Sequence, residues 1–157
     1  MIPSWLAIGG ITFLVAFGGF FFKPRDLKWA VQLERPHWLT FEPLIPVIWM
    51  VIFTCGAISA YIVWEAEPGS LKTWLLMGLY LVLELITVAY LPVTLQLRSL
   101  AIGTFVGFSG VLLSVLLLLA VLQISGWAAA LLIPYTIWSP IGTFTTWEMI
   151  RLNPTEQ

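Results

Sequence analysis

The sequence predicts an all-α bundle of five membrane-spanning helices. Three observations carry that reading. Of 157 residues, 60% are hydrophobic and 10% charged, against roughly 25% charged in a soluble domain. A water-soluble fold could not hide that much apolar surface. The apolar residues also gather into five stretches of about 20, the number that crosses roughly 30 Å of hydrocarbon at helical rise. Finally, the later connections are short turns, which make consecutive helices antiparallel neighbours. No internal repeat or linker interrupts the chain, so residues 1–157 read as one domain.

The first span is expected over about 2–22. It has no basic segment ahead of it and is too long for the apolar core of a signal peptide, so it reads as a retained helix. Gly9, Gly10, Gly18 and Gly19 lie in it. A charged, Trp-containing loop follows, running through Trp29, Lys28, Arg35, Pro36, His37 and Trp38 and broken again at Pro43 and Pro46. The second span covers about 44–64. Cys55 is the one cysteine; it excludes an internal disulfide and reads as a small core residue.

The third span covers about 71–92 and contains Glu84, an ionisable residue deep in apolar sequence. A charge there costs a few kcal/mol or more, so the carboxyl should face the bundle interior, pair, or carry a proton. Tyr80 and Thr87 lie on its helical face. Glu84 reads either as an intramembrane polar site or as a structural hydrogen bond. The fourth span covers about 97–123. Gly103 and Gly107 are four apart and face one side, allowing close backbone approach either within the chain or in a homodimer. The fifth span covers about 127–150, where Pro134 and Pro140 interrupt the backbone ladder and could widen a groove.

Orientation follows from the cations. With five spans, Lys23, Arg25, Lys28, Arg35, Arg98 and Arg151 share one side and Lys72 alone takes the other, which accounts for all seven Lys and Arg. That asymmetry predicts a cytoplasmic first loop and C-terminus, with the N-terminus outside or lumenal. Trp5, Trp64, Trp74, Trp127 and Trp147 fall near span ends, where aromatic belts sit. Several function classes are excluded or unsupported. There is no basic run for nucleic acid. There is no Cys/His cluster for zinc, no Ser-His-Asp arrangement and no phosphate loop. His37, the single histidine, reads as a solvated loop residue or as an axial haem ligand.

The positions of Trp29, Leu33, Arg35, Pro36, Trp38, Trp49, Phe53, Tyr61, Val63 and Trp64 form a pattern, as do Gly78-Leu79-Tyr80, Tyr90, Pro92, Arg98 and the run Pro134-Tyr135-Thr136-Ile137-Trp138. Together they resemble the TspO family, the tryptophan-rich sensory proteins related to the mitochondrial translocator protein. The resemblance covers roughly residues 29–146. It departs where the family has paired prolines after the loop tryptophan (here Thr40-Phe41) and an Asn-Trp pair on the third helix (here Thr87-Val88). It departs again at an acidic residue on the fourth helix (here Val106) and an Asn late in the fifth (here Thr146).

The resemblance implies a pocket under the first loop for flat apolar ligands. These are mainly tetrapyrroles such as protoporphyrin, haem or bilins, with sterols in mitochondrial relatives. It implies no required cofactor. Some bacterial relatives promote light-dependent porphyrin degradation, with tryptophans at the positions of Trp49 and Trp138 implicated; nothing else in the sequence specifies an enzyme. The candidate ligand-binding residues are Trp29, Trp38, Trp49, Phe53, Tyr90, Pro134, Tyr135 and Trp138. A planar π-system would stack on these rings, and its carboxylates would meet Lys28 and Arg35. Aromatics at helical spacing also simply fill cores. The alternative function is a structural or assembly subunit of a larger membrane complex that holds a pigment or lipid.

Overall fold

The computed structural model describes residues 1–18 and 22–156; Gly19 and the end of the expected first span lie partly outside them. Six α-helices follow one another: α1 (Ser4–Gly18), α2 (Pro24–Gln32), α3 (Ile45–Ala66), α4 (Leu71–Leu97), α5 (Leu100–Leu122) and α6 (Gly126–Leu152). A 3-10 turn, Glu42–Leu44, leads into α3. No strand occurs among the described residues.

Local chemistry explains the boundaries. Ser70, Ser99 and Ser125 each precede a helix, and each side-chain oxygen accepts the amide three residues on: Thr73 N at 3.1 Å, Ile102 N at 3.2 Å and Ala128 N at 3.2 Å. Each cap satisfies a donor that would otherwise be orphaned in an apolar medium. Gly69, at φ 78°, makes the turn between α3 and α4, a backbone region open to glycine at no steric cost. Arg98 closes α4 in the left-handed conformation, its amide returning to the carbonyls of Leu95 and Thr94.

Two expectations are corrected. The first loop is not loop throughout, because Pro24–Gln32 is helical. Pro24 stands in its first turn with Asp26, which suits the fixed φ of proline and the positive end of a helix dipole. The first helix is described over Ser4–Gly18, and residues 19–21 of its expected span lie outside the described residues. The third span runs on past Pro92 to Leu97. Proline forfeits one backbone bond, but in an apolar surround continuing the helix is what satisfies the remaining amides.

Among the described residues three helices are long and apolar enough to cross a membrane: Glu42–Ala66 with its leading turn, Leu71–Leu97 and Leu100–Leu122. α1 is apolar but shorter, at 15 residues. α6 matches α4 in length, yet its Trp, Ser, Thr and two prolines dilute its hydropathy.

α6 is the central helix. It packs most extensively against α5 and next against α3, while α4 leans on α5. α3 and α4 approach each other far less, and α1 lies across both. The glycines of α5 allow its close contacts: a Cβ on Gly103 would meet Thr94 of α4, and on Gly107 or Gly110 it would meet Thr143 or Tyr135 of α6. Those glycines therefore serve packing inside the chain. One core cluster (Val63, Tyr80, Leu117, Val121 and Ala128 among its members) fills the end of the bundle near the α3–α4 turn. A second, around Trp29, Leu33, Leu95 and Leu100, closes the opposite end.

Candidate functional site

The closed end is built by the first loop folding back on the C-terminus. Asn153 holds both backbone groups of Glu34: its Oδ1 accepts from Glu34 N at 2.9 Å and its Nδ2 donates to Glu34 O at 3.0 Å. The Trp29 indole donates to Glu156 at 2.5 Å. Asp26, buried on α2, pairs with Arg98 at 3.6 Å. Arg35 turns back on its own loop, donating to the carbonyls of Ala30 and Leu33 and pairing with Glu42 at 3.1 Å. Lys28 is exposed, as is His37.

Beneath this roof the aromatic side chains form two adjoining groups. In the first, Trp38 donates to Glu148 at 2.7 Å and stacks on Phe144 at 6.3 Å. Phe41 joins Trp38 to Trp138, with centroids 6.3 and 6.1 Å away. In the second, Trp49 meets Phe53 at 6.2 Å and the edge of Tyr135 at 6.0 Å.

Two crevices lie against the second group. One, between α3, α4 and α6, is bordered by Phe53, Gly56, Tyr80, Glu84, Thr87 and Tyr135. The other, nearer the first loop, is bordered by Trp49, Thr87, Tyr90, Gly107, Tyr135 and Thr143. Their free volumes are about 30 and 50 Å³. Thr87 and Tyr135 border both, and their hydroxyls are bonded at 2.7 Å. Close by, Tyr90 and Thr146 share a very short hydroxyl contact between α4 and α6. Thr87 and Thr146 stand at two of the positions where the sequence departs from the resembled pattern. Both remain polar links, now pairing with tyrosines.

The expected site residues thus separate. Trp49, Phe53, Tyr90 and Tyr135 border the crevices. Trp38 and Trp138 are joined through Phe41 beside them. Trp29 belongs to the end cluster, and Pro134 borders neither crevice. Sequence reasoning missed Phe41, Ser139 and Thr143 as site residues. The hydroxyls of α6 were the available signal, since Tyr135, Ser139, Thr143 and Thr146 recur at helical spacing. Glu84 bonds to neither Tyr80 nor Thr87. Its Oε1 accepts from Thr12 of α1 at 2.7 Å, while Tyr80 bonds Ser59 at 2.6 Å. Among the described residues no group of three His, Cys, Asp or Glu could hold a metal.

The model of the TspO/MBR family matches residues 7–152. The chain belongs to the TspO/MBR family. It is 28% identical over 148 residues to the tryptophan-rich protein TspO of Bacillus cereus, covering 91% of this chain and 95% of that one. To the translocator protein of Bos taurus it is 24% identical over 160 residues, with 98% and 94% covered. To the tryptophan-rich sensory protein of Cereibacter sphaeroides it is 26% identical over 148 residues, with 91% and 90% covered. Family membership and the apolar helices together make it an integral membrane protein.

Proposed function

We propose that this protein is a five-span membrane receptor or carrier that binds a tetrapyrrole between α3 and α6, under the first loop. The carrying observation is the Trp49–Tyr135–Phe53 group bordering two crevices that share Thr87 and Tyr135, whose hydroxyls are bonded. In this reading α1, α3, α4, α5 and α6 are the spans. α2, the loop after it and the C-terminus lie at the cytoplasmic face, where six of seven cations would sit.

Neither crevice is large enough as it stands, since small-molecule pockets measure roughly 300–1,000 Å³. Binding therefore requires rearrangement: rotation of Tyr135 off Thr87 merges the two spaces, and the Trp38–Phe41–Trp138 group moves with the loop. The ligand's carboxylates would then meet Lys28, or Arg35 released from Glu42.

Tryptophan quenching by protoporphyrin tests the reading. A stacked ring contributes about 0.5–1.5 kcal/mol beyond its buried area, so Trp49→Phe should weaken binding about three- to tenfold. Trp138→Phe should weaken it less, because Phe41 stands between Trp138 and Trp38. Trp74→Phe is the control: Trp74 is exposed against Trp64 at the other end of the bundle. Unsaturable quenching of the wild type would remove the pocket, and the assembly-subunit reading would then lead.

Orientation is checked separately, by labelling single cysteines placed in the first loop and after Asn153. Both should react only from the cytoplasmic side, and reaction of either only from outside reverses the topology.

A further inference from the structure

Glu84 is the group in the apolar interior that tetrapyrrole binding leaves unused. It sits mid-way along α4 and borders the first crevice. Its one hydrogen-bond partner among the described residues is the Thr12 hydroxyl, 2.7 Å from Oε1. An ionised carboxylate has room for about four such bonds, so its acceptor capacity is largely unused. Thr12 is also the buried residue of α1. α1 lies across α3 and α4, with polar contacts from Thr12 to Glu84 and, at its first residue, from Ser4 to Glu65.

The other walls of this crevice are chemically specific. Phe53, Tyr80 and Tyr135 present three aromatic rings, and no cation borders the space. The Tyr80 hydroxyl is held by Ser59 and the Tyr135 hydroxyl by Thr87, which fixes both rings. Ring faces attract cations, most strongly when desolvated. A carboxyl short of donors beside preset aromatic rings is complementary to a small cation. The free volume of about 30 Å³ admits a group of a few heavy atoms and no ring system. The flanking outer surface of the helices is apolar, with Val51, Ile58, Leu81 and Leu85 exposed; an attached hydrocarbon chain would stay in the bilayer.

We infer that the first crevice is a binding site for protonated alkylamine amphiphiles, entering from the lipid with the ammonium group on Glu84 and the alkyl chain outside. The ammonium supplies the donors that Thr12 alone does not. The crevice is one of the two that the tetrapyrrole reading merges, but the inference rests on Glu84 and that reading on Trp49, which borders only the other crevice.

The test uses the full protein in nanodiscs of zwitterionic lipid at neutral pH, with tritiated dodecylamine as the probe and empty nanodiscs as background. The expected result is saturable excess retention that unlabelled dodecylamine displaces and dodecanol does not. Glu84→Gln keeps the Thr12 contact but removes the charge, and should weaken binding at least tenfold. Glu84→Asp keeps the charge and should retain measurable binding. Equal displacement by dodecanol would overturn the proposal, as would equal affinity in Glu84→Gln. If Glu84→Gln fails to fold, the amine-against-alcohol competition on the wild type decides alone. Trp49 borders only the second crevice, so Trp49→Phe should weaken protoporphyrin quenching and leave dodecylamine retention unchanged, and failure with either ligand is read apart from the other.

Discussion

Gly103→Ala is expected to destabilise the bundle by about 1–3 kcal/mol, the range for a methyl forced into a packed core. The new Cβ would lie 2.6 Å from Thr94 Oγ1, 3.0 Å from Thr94 Cγ2 and 3.4 Å from Thr146 Cγ2. Rotating Thr94 gives no escape, because both of its branches are already close. Its hydroxyl also donates to the Tyr90 carbonyl at 2.6 Å, and moving it would break that bond. α5 must instead move away from α4, which carries Tyr90 and Thr87 off α6. Gly78→Ala is the matched control: nothing stands within 4 Å of its Cβ position, so it should be neutral or gain up to about 1 kcal/mol of helix propensity. Thermal unfolding in detergent would measure both. Equal melting temperatures for the two variants would mean that the α4–α5 contact yields without strain.

That glycine seam shows how much of the fold the sequence displays. The four-residue spacing of Gly103 and Gly107 marked one close-packed face, and span lengths were readable because hydrocarbon thickness dictates them. The partner of that face was not readable. α5 is apolar all round, so periodicity could not distinguish the side toward α4 and α6 from the side toward lipid. α2 escaped for a related reason. It is short and polar, so hydropathy does not mark it, and its signals are local: Pro24 in the first turn and Asp26 beside it.

The site was legible in kind more than in arrangement. Trp49, Phe53, Tyr90 and Tyr135 do converge on the crevices, because the family pattern already encodes which helices meet. Trp29 illustrates the opposite case. Its indole is tied to Glu156, 127 residues away, and it is buried with Leu33 and Leu100; nothing within its own loop announces that partner. Thr87 and Thr146 read as losses against the family pattern, yet each pairs with a tyrosine on the facing helix. A hydroxyl pair across two helices depends on tertiary register, which a single sequence does not express.

Glu84→Lys should be the most damaging single change in the membrane interior. A lysine at the centre of a span costs about 2.5–3.5 kcal/mol on insertion scales, and the crevice offers it little compensation. Thr12 offers a single hydroxyl oxygen, but an ammonium carries three donors, and no carboxylate other than the one removed borders the space. The longer side chain would also press against α1, whose polar hold inside the bundle is the Thr12 contact, the Ser4–Glu65 bond lying at its exposed end. Folded, monodisperse protein should therefore fall severalfold for Glu84→Lys, while Glu84→Gln, which still accepts from Thr12, should stay near wild type. Thr12→Val separates the two causes. It removes the hydroxyl but adds no charge, so it should loosen α1 with a milder loss, on the order of 1 kcal/mol for one hydrogen bond. Size-exclusion yield and thermal unfolding of the three variants give the ranking. If Glu84→Lys matched Glu84→Gln, the carboxyl would have to reach water, and both its placement in the bilayer and its role as an ammonium partner would fall with that result.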